Sequence, residues 1–342
     1  MRINKLQISK VDIEKNEVEN IDSSVYGDEL LDYLTELFET VISGSSGRRF
    51  EFDRKTTEVR VQITRLNNAE DLHDISNVIA NRLLIKESDV QKKMDKLNIS
   101  ILKGIIVQAV ILDGISEKFI ICKADHNDFL DDVNYKLTRG LPVKKKAFKA
   151  FVCDLNSTDE IEEVLVYDTN PKDTKYWWKD FLELSKIFTD EYNTEKAFNA
   201  IDKGVFNSIK KKYKEDHTYL RNSAVRYFRS NDMFEMNDFL DNGIGNYNPV
   251  DSDLDIELLK NKIRELPSKE RAPFDNQFTI VKEKVTAYFK RTVSLTDQVT
   301  LEIKQDIPEN IILAHKDPDG TKYVKIRSDK GYERFKKDNI ID

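Results

Sequence analysis

Apolar residues change their spacing several times along this chain, and each change predicts a change of element. Residues 3–13 alternate apolar and polar, the period of a half-buried strand. Over 24–43 the spacing lengthens to that of a helix, with Leu30, Leu31, Leu34, Leu37, Phe38 and Val41 on one face. Ser43, Gly44, Ser45, Ser46 and Gly47 end it as a loop. Residues 50–64 place Val59, Val61 and Ile63 at alternate positions and predict a strand. From Ala69 the helical period returns through Leu72, Ile75, Val78, Ile79 and Leu83, and a second helix is predicted from Ser88 through Val90, Met94 and Leu97. Four strand-like runs follow, at 105–112, 119–124, 148–155 and 163–167. Their short connections, Asp113-Gly114 among them, favour antiparallel pairing.

From 175 to 266 the helical period dominates. Trp177, Trp178, Phe181 and Leu184 mark a short apolar-faced helix, and Thr194 is placed to cap one that runs to about residue 213. Residues 217–230 predict another helix, 236–240 a short one, and 251–266 a last one stopped by Pro267. Beyond it, 295–304, 311–314 and 322–326 read as strands, the latter two joined by the turn Asp317-Pro318-Asp319-Gly320. The whole pattern predicts an α+β protein: a mixed antiparallel-sheet N-terminal domain over 1–173, a helical region over 174–268 and a small β-rich C-terminal domain over 269–342.

With 342 residues, 39% of them hydrophobic and 34% charged, the chain can fill cores for two or three domains. No apolar run approaches the roughly 18 to 20 residues of a membrane span, and the opening Met1-Arg2-Ile3-Asn4-Lys5 lacks the apolar segment of a secretory signal. A cytoplasmic protein without a membrane partner is expected. Cys122 and Cys153 both fall inside strand-like runs and are expected as buried free thiols.

The net charge of −7 argues against indiscriminate coating of polyanions, so any affinity for them must come from clustered positive charge. One cluster stands out: between 136 and 149 the chain carries Lys136, Arg139, Lys144, Lys145, Lys146 and Lys149 and no Asp or Glu. A second is a stripe formed by Lys196, Lys203, Lys210 and Lys214. At about 100° per residue these align opposite the apolar face of Phe198, Ile201, Val205 and Ile209. Arg221, Arg226 and Arg229 extend it, interleaved with Tyr219, Tyr227 and Phe228. Phosphate contact is the role that needs Lys and Arg with no fixed chemistry around them. A solvated helix face is the plain alternative for the stripe.

Catalytic patterns are incomplete. Asp113 and Lys123 lie on consecutive strands as in a metal-dependent nuclease, but Ile121 stands where the second carboxylate is needed. Cys122, Asp125 and His126 have no further ligand at zinc spacing. Asp251, Asp253 and Asp255 imitate the start of a calcium loop, yet Ile256 replaces its glycine and Lys262 its closing glutamate, which leaves a helix cap. The Gly44 and Gly47 loop lacks the Gly-Lys-Ser/Thr ending of a phosphate-binding loop. No catalytic residue, metal or cofactor is expected.

Several short motifs in this order resemble the bacterial nucleoid-associated protein family of the YejK/NdpA type. They are Ile3-Asn4-Lys5-Leu6, the strand ending Ile121-Cys122-Lys123-Ala124-Asp125-His126, Leu141-Pro142 ahead of lysines, Tyr176-Trp177-Trp178-Lys179-Asp180-Phe181, and the closing Val293-Ser294-Leu295 with Tyr323-Val324-Lys325-Ile326. The resemblance spans most of the chain and is weakest over 50–64 and 234–273. It implies a bacterial protein of the cytoplasm and nucleoid that binds DNA and has no established enzymatic activity; it supplies no site residues. DNA, duplex in preference, is therefore the expected partner, held by its phosphate backbone. The alternatives are a protein-interaction subunit of a chromosome-maintenance or anti-phage system, which could mimic DNA, and a divergent nuclease. Self-association stays open.

Overall fold

Both faces of a strand are covered when it reads as a continuous apolar run, and residues 104–111 are buried without a break. The computed structural model describes the chain except residues 43–46, 69, 96–100, 102, 144–147, 156–160, 162, 170–173, 271–272, 286–290, 304–309 and 337–342, and gives the backbone alone at 291, 292 and 294. It has the α+β architecture that the pattern predicts. The strands of its main sheet are β1 (Arg2–Asp12), β2 (Glu17–Asn20), β3 (Arg48–Phe52), β4 (Gly104–Asp113) and β5 (Ser116–Asp125), then β8 (Phe148–Leu155), β9 (Val164–Asp168) and β10 (Leu184–Lys186). Between β5 and β8 the separate hairpin of β6 (Asn127–Leu130) and β7 (Leu137–Gly140) leaves the sheet. The order across the sheet is β10-β3-β9-β8-β5-β4-β1-β2, with every pair antiparallel.

The centre is the β4–β5 hairpin, in register from Gly104↔Asp125 to Asp113↔Ser116. Gly114 turns it with φ +62, a conformation that glycine adopts without strain. At the other end a Cβ on Gly104 would lie 2.2 Å from the Ala124 carbonyl oxygen, so only glycine fits there. Alternation then divides the side chains. Ile105, Val107, Ala109, Ile120 and Cys122 face α1 (Asp28–Ile42), whose Leu34, Leu37 and Phe38 are fully buried against them. Ile106, Val110, Phe119, Ile121 and Cys153 face α2 (Glu58–Asn67), α3 (Leu72–Met94) and a π-helical turn at Tyr176–Phe181. The two cysteines are buried free thiols on opposite faces.

The short helix expected to reach Leu184 ends as a π-helical turn at Phe181, and Leu184 opens β10; three further elements differ from expectation. Residues 50–64 end a strand at Phe52 and continue as α2, because Val59, Ile63 and Leu66 share a helical face in the core while Val61 points to solvent. The two helices expected on either side of Ser88 are one, α3, whose 23 residues cross the sheet. Residues 295–304 do not form one strand, since β13 (Arg291–Thr296) turns back into β14 (Val299–Ile303).

The middle of the chain packs as helices around its own core. The helix α4 (Asp190–Asn199), a π-helical stretch at Ala200–Phe206 and α5 (Asn207–Ile209) run on continuously; α6 (Lys214–Ser230) follows. Next come α7 (Met236–Asp238) with a π-helical stretch at Phe239–Ile244, and α8 (Ile256–Arg264). Asp255, not Asp251, caps α8, accepting from the Leu258 amide at 2.9 Å. A two-stranded pairing of β11 (Met233–Glu235) with β12 (Gln277–Thr279) stacks Phe234 on Phe278, and residues from Ala197 to Val285 share this core.

Consecutive arginines on β3 fasten the sheet to the helices. Arg48 pairs with Asp190 at 2.6 Å, and Arg49 donates to Asp275 at 3.2 Å and to the Phe274 carbonyl at 2.7 Å. Asp275 is held from the other side by Asn193 at 2.8 Å. Past the helices, β15 (Ile312–Lys316) pairs with β16 (Lys322–Ile326) through the expected Asp317–Gly320 turn, and α9 (Asp329–Phe335) follows. No helix among the described residues is long and apolar enough to cross a membrane.

Candidate nucleic-acid interface

The basic tract after β5 is split by the fold. Lys136 and Arg139 stand on the β6–β7 hairpin, which projects with nearly every residue exposed. Arg139 is already paired, its Nε 2.7 Å from Asp128 Oδ1 across the strands. Lys144, Lys145 and Lys146 lie outside the described residues. Lys149, expected to complete the surface patch, is buried instead. Its neighbours Phe148 and Ala150 point towards α1, so Lys149 shares the opposite face with Phe151 and Cys153 and cannot reach solvent.

There it joins a row of charge across the sheet. Lys123, Lys149 and Asp168 are register partners on β5, β8 and β9, and Asp125 lies two residues beyond Lys123 on β5. Lys123 Nζ lies 2.8 Å from Glu87 of α3 and 3.0 Å from Asp125 Oδ1; the latter approach lacks hydrogen-bond geometry, and Asp125 Oδ1 accepts from no other group. Lys149 Nζ sits 3.8 Å from Asp125 and 3.9 Å from Asp168, and the Tyr176 hydroxyl donates to Glu87 at 3.3 Å. Burial opposes the charge on Lys123, but Glu87, Tyr176 and Asp125 outweigh it and push the ammonium pKa up. Burial also pushes the Tyr176 phenol up. The cluster is therefore a locked internal ion network. Glu87, Lys123, Asp125 and Lys149 are buried, and no group of three acidic, His or Cys side chains among the described residues could hold a metal ion.

The lysine stripe is also rearranged. Phe198, Ile201, Val205 and Ile209 are buried as the spacing predicts. The basic side is not one helical stripe: the π-helical stretch at Ala200–Phe206 winds less per residue, the helix stops at Ile209, and Lys214 opens α6. Lys196 leans over the Tyr192 ring, its Nζ 5.4 Å from the centroid. Lys203 and Arg226 are exposed, and Arg221 is tied to Asp202 at 3.1 Å.

What the break creates is a turn in which Lys210, Lys211, Lys212 and Lys214 are all exposed. Lys211 and Lys212 fell off the helical phase and so escaped the periodic reading; four lysines within five residues was the signal that could have found them. The turn is firmly held. The Tyr213 amide donates to the Ile209 carbonyl at 2.8 Å, its carbonyl accepts from the His217 amide at 2.9 Å, and its hydroxyl donates to the Asp253 carbonyl at 3.3 Å. A hydrogen bond to that same hydroxyl, at 2.6 Å, is the main cause that raises the Lys212 pKa, with Asp253 and Asp251 adding to it, so Lys212 stays charged.

His217 sits beneath this turn, almost fully buried. Burial first, then the charges of Lys210 and Arg221, hold its imidazole below the ordinary range against the opposing pull of Asp202. The folded protein thus resists protonation while the unfolded chain takes up a proton near pH 6.5. Stability contributed by the neutral ring is complete above that pH and is lost as pH falls through the folded value. His126, depressed by burial and by Arg139, acts in the same direction. Urea midpoints are expected to fall from pH 7.5 to 5.5, and His217→Gln is expected to flatten that decline.

The nuclease arrangement is not assembled. Asp113 pairs with Ser116 at the hairpin tip, and Lys123 lies seven positions further along β5, about 24 Å at the rise of a strand. By sequence, no family model matches the chain and no curated protein matches it.

Proposed function

We propose that this protein binds duplex DNA through the phosphate backbone, with little reading of base sequence, and that its place is the nucleoid. The observation that carries the proposal is the turn at 210–214. Four exposed ammonium groups on a held turn form a fixed patch of positive potential in a chain whose net charge is −7. Such a patch acts over about 8 to 10 Å at physiological salt, the range of a docked phosphate backbone. Lys203 and Arg226 are exposed on the same helices, and Lys136 adds a separate exposed cation on the β6–β7 hairpin. A gel shift with duplex DNA at low and moderate salt tests the reading. A shift that weakens steeply with salt is expected, and no shift at low salt would refute it.

A second reading, contact with a protein partner, is favoured by the β6–β7 hairpin itself. Leu130, Val133, Tyr135 and Leu137 are exposed on it; Val133 and Tyr135 are 84% and 78% accessible. Apolar side chains concentrated on a projecting arm mark an interaction surface. If the arm docks a protein, a stoichiometric partner will co-purify after nuclease treatment, and Val133→Lys with Tyr135→Lys will release it. Retention of the partner by that double variant would exclude the arm.

A further inference from the structure

We propose that the C-terminal hairpin and helix, residues 311–336, form a second nucleic-acid site that takes single strands. Phosphates would lie on its lysines and arginines, and unstacked bases on its exposed aromatic rings.

The module is built as a surface without a core. It consists of β15, β16 and the seven residues of α9, and none of its described residues is buried. An isolated two-stranded hairpin is marginal in water, and a helix of this length is too. Its apolar groups are nonetheless out in solvent: Tyr323 is 46% accessible, Tyr332 69% and Phe335 85%. Such rings are available to a partner, and the charge of the module says what kind of partner that is.

Between 310 and 336 there are seven Lys or Arg and four Asp or Glu, in a chain with the opposite balance. The two signs are used differently. Asp317 holds His315 at 2.9 Å, Asp319 accepts the Thr321 amide at 2.9 Å, and Glu333 pairs with Lys336; Asp329 lies in the first turn of α9. The acids thus shape the turn and the helix. Lys316, Lys322, Lys325, Arg327, Lys330 and Arg334 have no ion-pair partner among the described residues. Six cations with no ion-pair partner among the described residues, together with three exposed rings, fit a polyanion that also offers flat apolar faces. A single-stranded nucleic acid offers both in every nucleotide, whereas an acidic protein segment offers the second only where it also carries aromatic residues.

The register places the contacts. Leu313↔Lys325 and His315↔Tyr323 share one face of the hairpin. A base stacked on Tyr323 therefore lies two residues from the Lys325 ammonium and four from Arg327, while Tyr332 and Phe335 sit one helical turn apart on α9. This site goes beyond the duplex contact proposed for the turn at 210–214 and does not depend on it.

The test is fluorescence anisotropy of the full-length protein with a labelled oligo-dT strand. Tyr323→Ala and Phe335→Ala are each expected to weaken binding about 10-fold, and Tyr323→Phe to bind as the native protein does, since the ring and not the hydroxyl stacks. Lys322→Glu with Lys325→Glu is expected to weaken binding further and to reduce its salt dependence. Glutamate replacements in the turn at 210–214 are expected to spare the oligo-dT affinity while removing the duplex shift, so each site can fail without the other. Unchanged affinity in both alanine variants overturns the proposal. So does binding that follows the lysines alone and is matched by polyglutamate, which would make the module an acidic-peptide surface. A dimer in sedimentation that dissociates on Phe335→Ala would also overturn it, because a second copy would then cover the rings.

Discussion

Replacing Lys210, Lys211, Lys212 and Lys214 together by glutamate is expected to abolish the duplex gel shift at ~50 mM salt, the low end of the range over which phosphate contacts are measured. Each phosphate neutralised contributes about −0.9 to the slope of log affinity against log salt, so four contacts give a slope of about −3.6. The native protein should then lose about 100-fold in affinity between ~50 and ~200 mM salt, and replacement by glutamine should remove most of that dependence. The fold should survive, because the four side chains are exposed while Ile209 and Leu220 on either side hold the helices in the core. Thermal melting monitored by circular dichroism checks this in the same samples. Native affinity in the glutamate variant would remove the turn from the interface.

The largest effect on stability is expected from Glu87→Ala. Lys123 is 3% accessible, and Glu87 reaches it from α3 at 2.8 Å. Removing the carboxylate takes away the charge 2.8 Å from the buried ammonium and leaves Asp125 facing it in poor hydrogen-bond geometry. Breaking one partner of a buried pair in this way costs about 3 to 5 kcal/mol. The loss comes from the uncompensated charge and not from the pair's own strength, so the double variant Glu87→Leu with Lys123→Met should recover most of it. Urea denaturation of the two variants separates the cases. A loss below about 1 kcal/mol in Glu87→Ala would mean that Lys123 finds other solvation, as an exposed pair does.

These two sites also show where reading the sequence succeeds and where it stops. The runs at 105–112, 119–124 and 148–155 are strands within three residues at each end, because a segment covered on both faces has few other ways to satisfy its backbone. The basic residues were harder. Lys149 looks like the end of a surface tract until β8 is placed in register, whereupon its position between Phe148 and Ala150 assigns it to the interior. Glu87 carried no signal, since its partner Lys123 is supplied by another element 36 positions later in the chain. A uniform helical period does not reach Lys211 and Lys212, because the helix contains a π-helical stretch and ends at Ile209. The segment 50–64 misled for a related reason: three β-branched residues at alternate positions also contain the four-residue spacing of Val59 and Ile63, and only the core decides which period is used.

The sequence by itself determined the α+β class, the central hairpin turned at Gly114, the apolar face of α4 and its continuation, and the absence of any long apolar helix among the described residues. These are local properties: period, turn chemistry and composition act between residues a few positions apart. Tertiary structure alone decided which charges are inside and which are outside. Lys149 went to the ion network because strand register fixed its face, and Lys210 to Lys214 went to solvent because a helix end fell among them. Charge has no period of its own. Its meaning depends on the distance to the opposite charge and to water, and packing between distant segments sets both.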